Sequence, residues 1–208
     1  MSESNSLRWL EWAREIQSMS QIGLTYSLSD YDTRRYTRLM EIAAEMVASH
    51  TQLAKDSLFE NFMQEPGYAT PKVDVRAAIV RDGQILLVQE RSDERWCMPG
   101  GWADVGDLPS AAIAREVWEE SGFEVVVRKV VGVYDANRYP PLEFNHAYKI
   151  VFLCEIVGGK ARGSDETLAV DFFNFDNWPP LSSNRTNEQH LAEVLAHVND
   201  PTRATHFD

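Results

Sequence analysis

Between Pro99 and Phe123 the chain reads PGGWADVGDLPSAAIAREVWEESGF, and no other stretch restricts the fold so much. Pro109 suits the first turn of a helix, because its fixed φ is already helical and its missing N–H would lack a partner there. Gly122 suits the left-handed position just past a helix end. Together they predict a helix over about residues 109–121, with Asp107 or loop backbone standing in for the poor cap Leu108. Residues three and four apart share a helical face, so Glu116, Glu119 and Glu120 project together. Like charges at that spacing repel and weaken the helix unless a cation sits among them. Gly100 and Gly101 let backbone approach the helix closely and aim a carbonyl oxygen where a side chain does not fit. Carboxylates, a carbonyl and water suit a hard divalent ion, Mg²⁺ or Mn²⁺. Cys97 is isolated and the five histidines show no paired ligand spacing, which disfavours zinc. The plain alternative is a solvated acidic face.

The surroundings of this segment read as strands. VDVRAAIV and QILLVQE flank Arg81-Asp82-Gly83, and Asp-Gly between apolar runs is a hairpin signal. EVVVRKVVGVY, AYKIVFLCEIV and DFFNFD are further strands. A last helix is expected from Thr186, which with Gln189 makes a capping box, with Leu191, Val194, Leu195 and Val198 on its buried face. Strands mixed with a few helices give an α+β class. The first third differs. Trp9, Trp12, Ile16 and Met19 fall on one helical stripe ending near Gly23. A second helix, capped by Ser29 or Asp30, carries Tyr36, Leu39, Met40, Ala43 and Val47, and a third surrounds Leu58, Phe59 and Phe62. Pro66, Gly67 and Pro71 interrupt the pattern, so a small all-α domain is predicted over 1–68 and a second domain over 69–208. Three short helices bury little surface alone. Their apolar stripes are expected to meet the second domain or another copy of the chain, and a homodimer is the expectation.

Charge excludes some partners. The formal net charge of −12 argues against a sequence-independent grip on duplex nucleic acid. Residues 1–68 carry ten acids against six Lys and Arg, which disfavours a DNA-reading helix-turn-helix. No apolar run approaches the roughly 18 residues a spanning helix needs, and the N-terminus lacks a signal core. Two cysteines make no disulfide framework. A soluble, cytoplasmic protein without a membrane partner is expected.

The segment resembles the signature box of the Nudix hydrolases. That pattern is Gly, five residues, Glu, seven residues, Arg-Glu, an aliphatic residue, one residue, Glu-Glu, one residue, Gly and an aliphatic or similar residue. Gly101 opens it, Asp107 stands where Glu is expected, and Arg115-Glu116-Val117, Glu119-Glu120, Gly122 and Phe123 complete it, so eight of nine positions fit over 23 unbroken residues. The resemblance implies a Nudix fold, a mixed sheet sandwiched between helices, over roughly 70 to 205. It implies Mg²⁺-dependent hydrolysis of a nucleoside diphosphate linked to another group, with metal held by Glu116, Glu119, Glu120, the Gly100 carbonyl and Asp107. Arg115 is then a loop-holding residue. Asp107 keeps the charge but is one methylene short, so a somewhat altered metal affinity is expected without loss of activity.

QIGLTYSLSDYDTRRYTRLMEIAAEM, VGVYDANRYP and SDETLAVDFF are similar to a bacterial Nudix subgroup with a helical N-terminal domain. That subgroup includes CDP-choline pyrophosphatases and ADP-ribose pyrophosphatases. It implies release of a nucleoside monophosphate and a homodimer built partly from the N-terminal helices, which would also shape specificity. Glu166 stands where the family often carries an acid that binds metal or takes a proton, or is a solvent-facing loop acid. Arg76 can meet a phosphate or form an ion pair. Tyr134 and Tyr139 can stack a base or pack in a core. A hydrolase of CDP-choline-like compounds is the leading reading, an ADP-ribose pyrophosphatase the alternative. A non-catalytic, nucleotide-sensing regulator is the alternative of another class, and three carboxylates on one helix face favour catalysis over it.

Overall fold

The computed structural model of the chain describes residues 8–136, 138 and 146–208. These fall into two compact units, Met1–Pro71 and Lys72–Asp208.

The N-terminal unit holds α1 (Arg8–Tyr26), α2 (Asp30–His50) and α3 (Lys55–Met63). Ser29 caps α2, its hydroxyl accepting from the N–H groups of Tyr31 and Asp32. Helix α1 does not stop at Gly23. Its glycine sits inside the helix because a Cβ there would lie 2.4 Å from the Tyr36 ring of α2, so Gly23 sets the approach of the two helices. Buried packing comes from Leu10 and Ala13 on α1, Met40, Ala43, Ala44 and Val47 on α2, and Leu58 and Phe62 on α3. The stripe read from α1 is only partly inward, since Trp12 and Met19 are 50% and 51% exposed.

The C-terminal unit holds strands β1 (Lys72–Arg81), β2 (Gln84–Glu90), β3 (Trp96–Cys97), β4 (Phe123–Asp135), β5 (Ala147–Gly159), β6 (Thr167–Asn174) and β7 (His206–Phe207). Helix α4 (Pro109–Ser121) precedes β4, and α5 (Glu188–Asn199) precedes β7. Strand order is β3-β2-β1-β5-β4-β7, with β6 also on β2. The sheet is mixed: β1–β5 and β4–β7 run parallel, and β1–β2, β2–β3, β2–β6 and β4–β5 antiparallel. The β1–β2 turn has positive φ at both Asp82 and Gly83, which matches the right-handed twist of a hairpin.

Helices cover both faces. Val75, Ala77 and Ile79 of β1 pack with Ala112, Ile113 and Val117 of α4, while Ala78 packs with Leu191 and Val194 of α5. With both faces covered, β1 is apolar without alternation at its centre, as a doubly buried strand must be. Helix α5 begins later than the Thr186 start expected from sequence. Asn187 is its cap and His190, not Gln189, closes the capping box. Thr186 is instead buried, its hydroxyl accepting from the Met98 N–H at 2.9 Å. Among the described residues no helix is long and apolar enough to cross a membrane.

Gly23→Ala is expected to destabilise the protein by about 1–2 kcal/mol. Overpacking against Tyr36 outweighs the helix-propensity gain of about 1 kcal/mol. Urea unfolding of the full chain measures it, and an Ala variant as stable as the parent would refute the contact.

Candidate active site

Backbone pairing places the glycine loop. Val75 N–H donates to Gly101 O at 2.8 Å, Ala77 N–H to Pro99 O at 2.8 Å, and Ala103 N–H to Val73 O at 2.9 Å. The loop therefore continues alongside β1. Gly100 has φ +140, and a Cβ on it would fall 2.0 Å from the Val75 carbonyl oxygen. Only glycine can occupy this position. Its N–H donates to Glu120 Oε2 at 2.8 Å, which joins loop to helix. A Cβ on Gly101 would meet Glu116 Oε2 at 2.9 Å, so this residue too leaves room for a carboxylate.

The helix supplies the rest. Pro109 opens α4, and Gly122 ends it at φ 74 with its N–H on Trp118 O. Leu108 makes no side-chain cap. Glu120 is 5% exposed. Burial pushes its pKa up to about 8 against the opposing pull of Arg76 and the Gly100 N–H, with Glu90 and Glu116 adding to the rise. Burial likewise raises Glu116, and Glu119 and Glu166 add to the effect. The structure thus brings Glu119, Glu120 and Glu166 each within electrostatic reach of Glu116. Glu119 is the most solvated of the helix trio, its side chain 46% exposed.

Arg115 sits among these acids. Its Nη1 lies 2.9 Å from Glu116 Oε1 and 3.1 Å from Glu119 Oε2. Its Nη2 donates to Asp104 and Asp107, each at 3.1 Å. Arg115 therefore pins the far end of the loop to the helix. Asp107, expected as a metal ligand, is bound to Arg115 in this arrangement. Among the described residues no three His, Cys, Asp or Glu side chains form a ready-made metal cage. The donor set still fits a hard cation. The cluster is all oxygen, and two of its carboxyls are held above their usual pKa by burial, against the pull of nearby arginines.

Arg76 is not free to meet a phosphate. It is 5% exposed, bound to Asp74 at 2.9 Å, and donates to Met98 O at 3.3 Å. It props the loop from below and faces Glu120 through the protein interior. Asp74 also accepts from the Lys149 ammonium at 2.5 Å, and Lys149 donates to Asn184 O at 3.1 Å. Sequence reasoning missed Lys149, Asp74 and Glu90. A lysine between apolar residues on both sides, as in AYKIVFL, was the available signal for Lys149. Glu90 is 8% exposed and accepts from Cys97 Sγ at 3.1 Å. Its inward turn follows a bulge between Gln89 and Glu90, which sequence alternation does not disclose.

Tyr134 is a core residue rather than a base-stacking one. Its ring meets His190 edge-on at 4.7 Å and stacks on His206 at 5.3 Å. Tyr139 lies outside the described residues. Two clefts flank the first turn of α5. Lys149, Asn184 and His190 line one. Arg95, Trp178, Pro179 and Leu181 line the other, which measures about 620 Å³, a volume within the range of small-molecule sites.

Comparison with known proteins shows the family. Residues 70–197 match the NUDIX domain family. Residues 7–62 match the family described as UDP-X-like, N-terminal oligomerisation domain. The chain is 36% identical over 203 residues, 97% of each chain, to YjhB of Bacillus subtilis (strain 168), carried as a provisional ADP-ribose pyrophosphatase. It is similar to a solved UDP-X diphosphatase at 32% identity and TM-score 0.63, covering 100% of both chains. An ADP-ribose pyrophosphatase structure from Streptococcus suis matches at 37% identity and TM-score 0.62, over 67% of this chain and 100% of that one.

The buried base beside the Arg76–Asp74–Lys149 group yields a pH dependence. Burial, reinforced by Lys149 and Arg76, lowers the His190 pKa from 6.5 to about 3. An unfolded histidine takes up a proton below about 6.5, while the folded one stays neutral to about 3, so stability is lost as pH falls through that window. The loss between pH 7 and 4 is about 3 kcal/mol by linkage. His190→Gln, which keeps an acceptor for the Asn187 N–H, is expected to flatten this dependence. Urea unfolding at both pH values tests it, and equal losses in parent and variant would rule His190 out as the cause.

Proposed function

Because the chain belongs to the Nudix family, we propose that it is a metal-dependent hydrolase of nucleoside diphosphates linked to a second moiety, with release of a nucleoside monophosphate. The observation that carries this reading is the Gly100–Glu120 contact. It sets a buried carboxylate and loop backbone side by side at the centre of an acid cluster. Mg²⁺ or Mn²⁺ would be held by Glu116, Glu119 and Glu120, with the Gly100 carbonyl, whose residue already turns its N–H toward α4. When bound, such an ion screens phosphate from carboxylate and acidifies a water.

The chain's own residues take the remaining parts. Arg115, through Asp104 and Asp107, keeps the loop at a fixed distance from α4. Arg76 fixes the same loop at Met98. To Glu166, an exposed carboxylate whose charge acts on Glu116, we assign the acceptance of the proton from the attacking water. The similarity to ADP-ribose pyrophosphatases and to a UDP-X diphosphatase supports the class of substrate. CDP-choline is the leading compound from sequence, with ADP-ribose the alternative. A non-catalytic nucleotide sensor is disfavoured, since sensing requires no buried carboxylate next to a glycine backbone.

The test is monophosphate release from CDP-choline, ADP-ribose and UDP-linked sugars, with Mg²⁺ and with chelator. Turnover of at least one compound that stops with chelator is expected, and none with any would reject the reading. Glu120→Gln is expected to lower kcat at saturating Mg²⁺ by at least about a hundredfold, roughly 2.7 kcal/mol, while unfolding cooperatively. Near-parental turnover would remove Glu120 from the metal set.

We further propose that the N-terminal unit joins two copies of the chain. Half-exposed Trp12 and Met19, with Tyr26 and Tyr31 at 64% and 57% exposure, present apolar surface of the kind interfaces use. The match to an oligomerisation domain family supports it. Light scattering of the full chain should give twice 23.7 kDa, and a monomer at micromolar concentration would refute it.

A further inference from the structure

The last carbonyls of a helix have no intrahelical partner, and α4 ends where its acids cluster. Three consecutive carbonyls there are taken by one loop, residues 160–167. Thr167 Oγ1 donates to Glu120 O at 2.8 Å. Arg162 N–H donates to Ser121 O at 2.9 Å, and Lys160 N–H to Gly122 O at 3.2 Å. The loop is thus a cap for the carboxylate helix. The Arg162 guanidinium also lies over the Trp118 ring of α4, 4.6 Å from its centroid.

Glu166 belongs to this loop, and its backbone is fixed at both polar groups. Its N–H donates to Ser164 Oγ at 3.1 Å, and its carbonyl accepts from Arg91 N–H at 2.9 Å. Arg91 Nε holds the preceding carbonyl, of Asp165, at 2.8 Å. The directions of the hydroxyl protons follow from counting. A hydroxyl has one proton to give, and Thr167 gives its own to Glu120 O. Ser164 Oγ, 3.0 Å from Thr167 Oγ1, must therefore be the donor of that pair. Thr167 Oγ1 also accepts from Ser164 N–H at 3.1 Å, and Ser164 Oγ accepts from Thr167 N–H at 3.1 Å. Thr167 is 2% exposed and its bond to Glu120 O is buried, so leaving that bond unmade is costly.

We propose that Thr167 is a positioning residue for the reaction: its hydroxyl rivets the acid-bearing loop to the backbone of Glu120, so Glu166 keeps one placement relative to the carboxylates of α4. This rests on the reading that Glu166 serves hydrolysis. An exposed glutamate on an untethered loop samples many positions. Fixing its backbone leaves only its own side-chain torsions, and displacements near 1 Å are enough to cost up to about a hundredfold in rate. The link is also local in sequence. Thr167 follows Glu166 directly and opens β6, where it pairs with Glu90.

The test is a double-mutant cycle on the full-length protein, read as kcat and KM with Mg²⁺ and the fastest substrate of the panel. Thr167→Val keeps the branched shape and removes the hydroxyl. It is expected to lower kcat about tenfold with KM within about twofold, and Thr167→Ser to recover most of the loss. In a Glu166→Gln background, itself slow, Thr167→Val should cost nothing further. Additive losses, or a Ser variant as slow as Val, overturn the positioning role while leaving Glu166 in the reaction. A Glu166→Gln variant with parental kcat overturns the role of Glu166 itself, and this proposal with it. If Thr167→Val fails to fold, Arg91→Met carries the same cycle, because it removes the tether to Asp165 O from an exposed residue. A loss in the parent background that vanishes with Glu166→Gln supports the clamp, and no loss in the parent overturns it.

Discussion

The hydrogen bond from Gly100 N–H to Glu120 depends on a missing atom. Any Cβ at Gly100 would collide with the Val75 carbonyl, so the loop would be pushed off β1 and its N–H would leave the carboxylate. Other features follow from that approach. The loop can pair with β1 at Pro99 and Gly101 only if the residue between them lies flat against the strand. The carboxylate of Glu120 can be buried only because a backbone donor meets it there, since an unpaired buried acid is expensive. A fold that covers β1 with α4 on one face and α5 on the other supplies the rigid support.

Charge balance is the second constraint, and two arginines divide it. Arg115 is exposed enough to move and touches Glu116, Glu119, Asp104 and Asp107 at the mouth of the cluster. Arg76 is fixed in the interior, where burial disfavours its charge but the adjacent Asp74 carboxylate more than restores it. Burial outweighs the pull of Arg76 on Glu120, whose carboxyl stays raised to about 8. A divalent ion that enters must displace the proton burial leaves on Glu120, so binding strengthens as pH rises, and the ionised cluster then calls for its positive charge. The net charge of −12 makes the same demand on a larger scale, since an anionic substrate approaches an anionic surface.

Much of this was legible in the sequence, for reasons tied to particular residues. Helix α4 could be bounded at Pro109 and Gly122 because both act through backbone conformation, which survives without knowledge of neighbours. The β1–β2 hairpin was legible at Asp82-Gly83 for the same reason. The inward turn of Glu90 was not, because a bulge alters the side a strand residue faces without marking the residue itself. Nor was the fate of Arg76 and Tyr134. An arginine on a strand reads alike whether it waits for a phosphate or pairs with Asp74, and only the register of β1 on β5, which brings Lys149 beside Asp74, separates the two. The stripe on α1 erred differently. Periodicity located one face correctly as apolar but could not say that Gly23, through its contact with Tyr36, turns a neighbouring face toward α2.

The two ends of α4 are built on opposite logics, and this bears on how the site could work. At the N-terminal end no side chain caps the helix, and the loop that precedes it is tied down by ion pairs that water and salt can weaken. At the C-terminal end the carbonyls of Glu120, Ser121 and Gly122 are taken by a loop whose central hydroxyl is out of water. A metal entering the cluster must compete with Arg115 for Glu116 and Glu119, and the Arg115 contacts are the ones that can give way. Glu120 and the loop behind it are not in that competition. The proposed ligands therefore divide into a fixed one, held by Gly100 and backed by Thr167, and two that an arginine can release. Adjustment on binding would then be confined to the solvated side, while the carboxylate at the buried side keeps its place relative to Glu166.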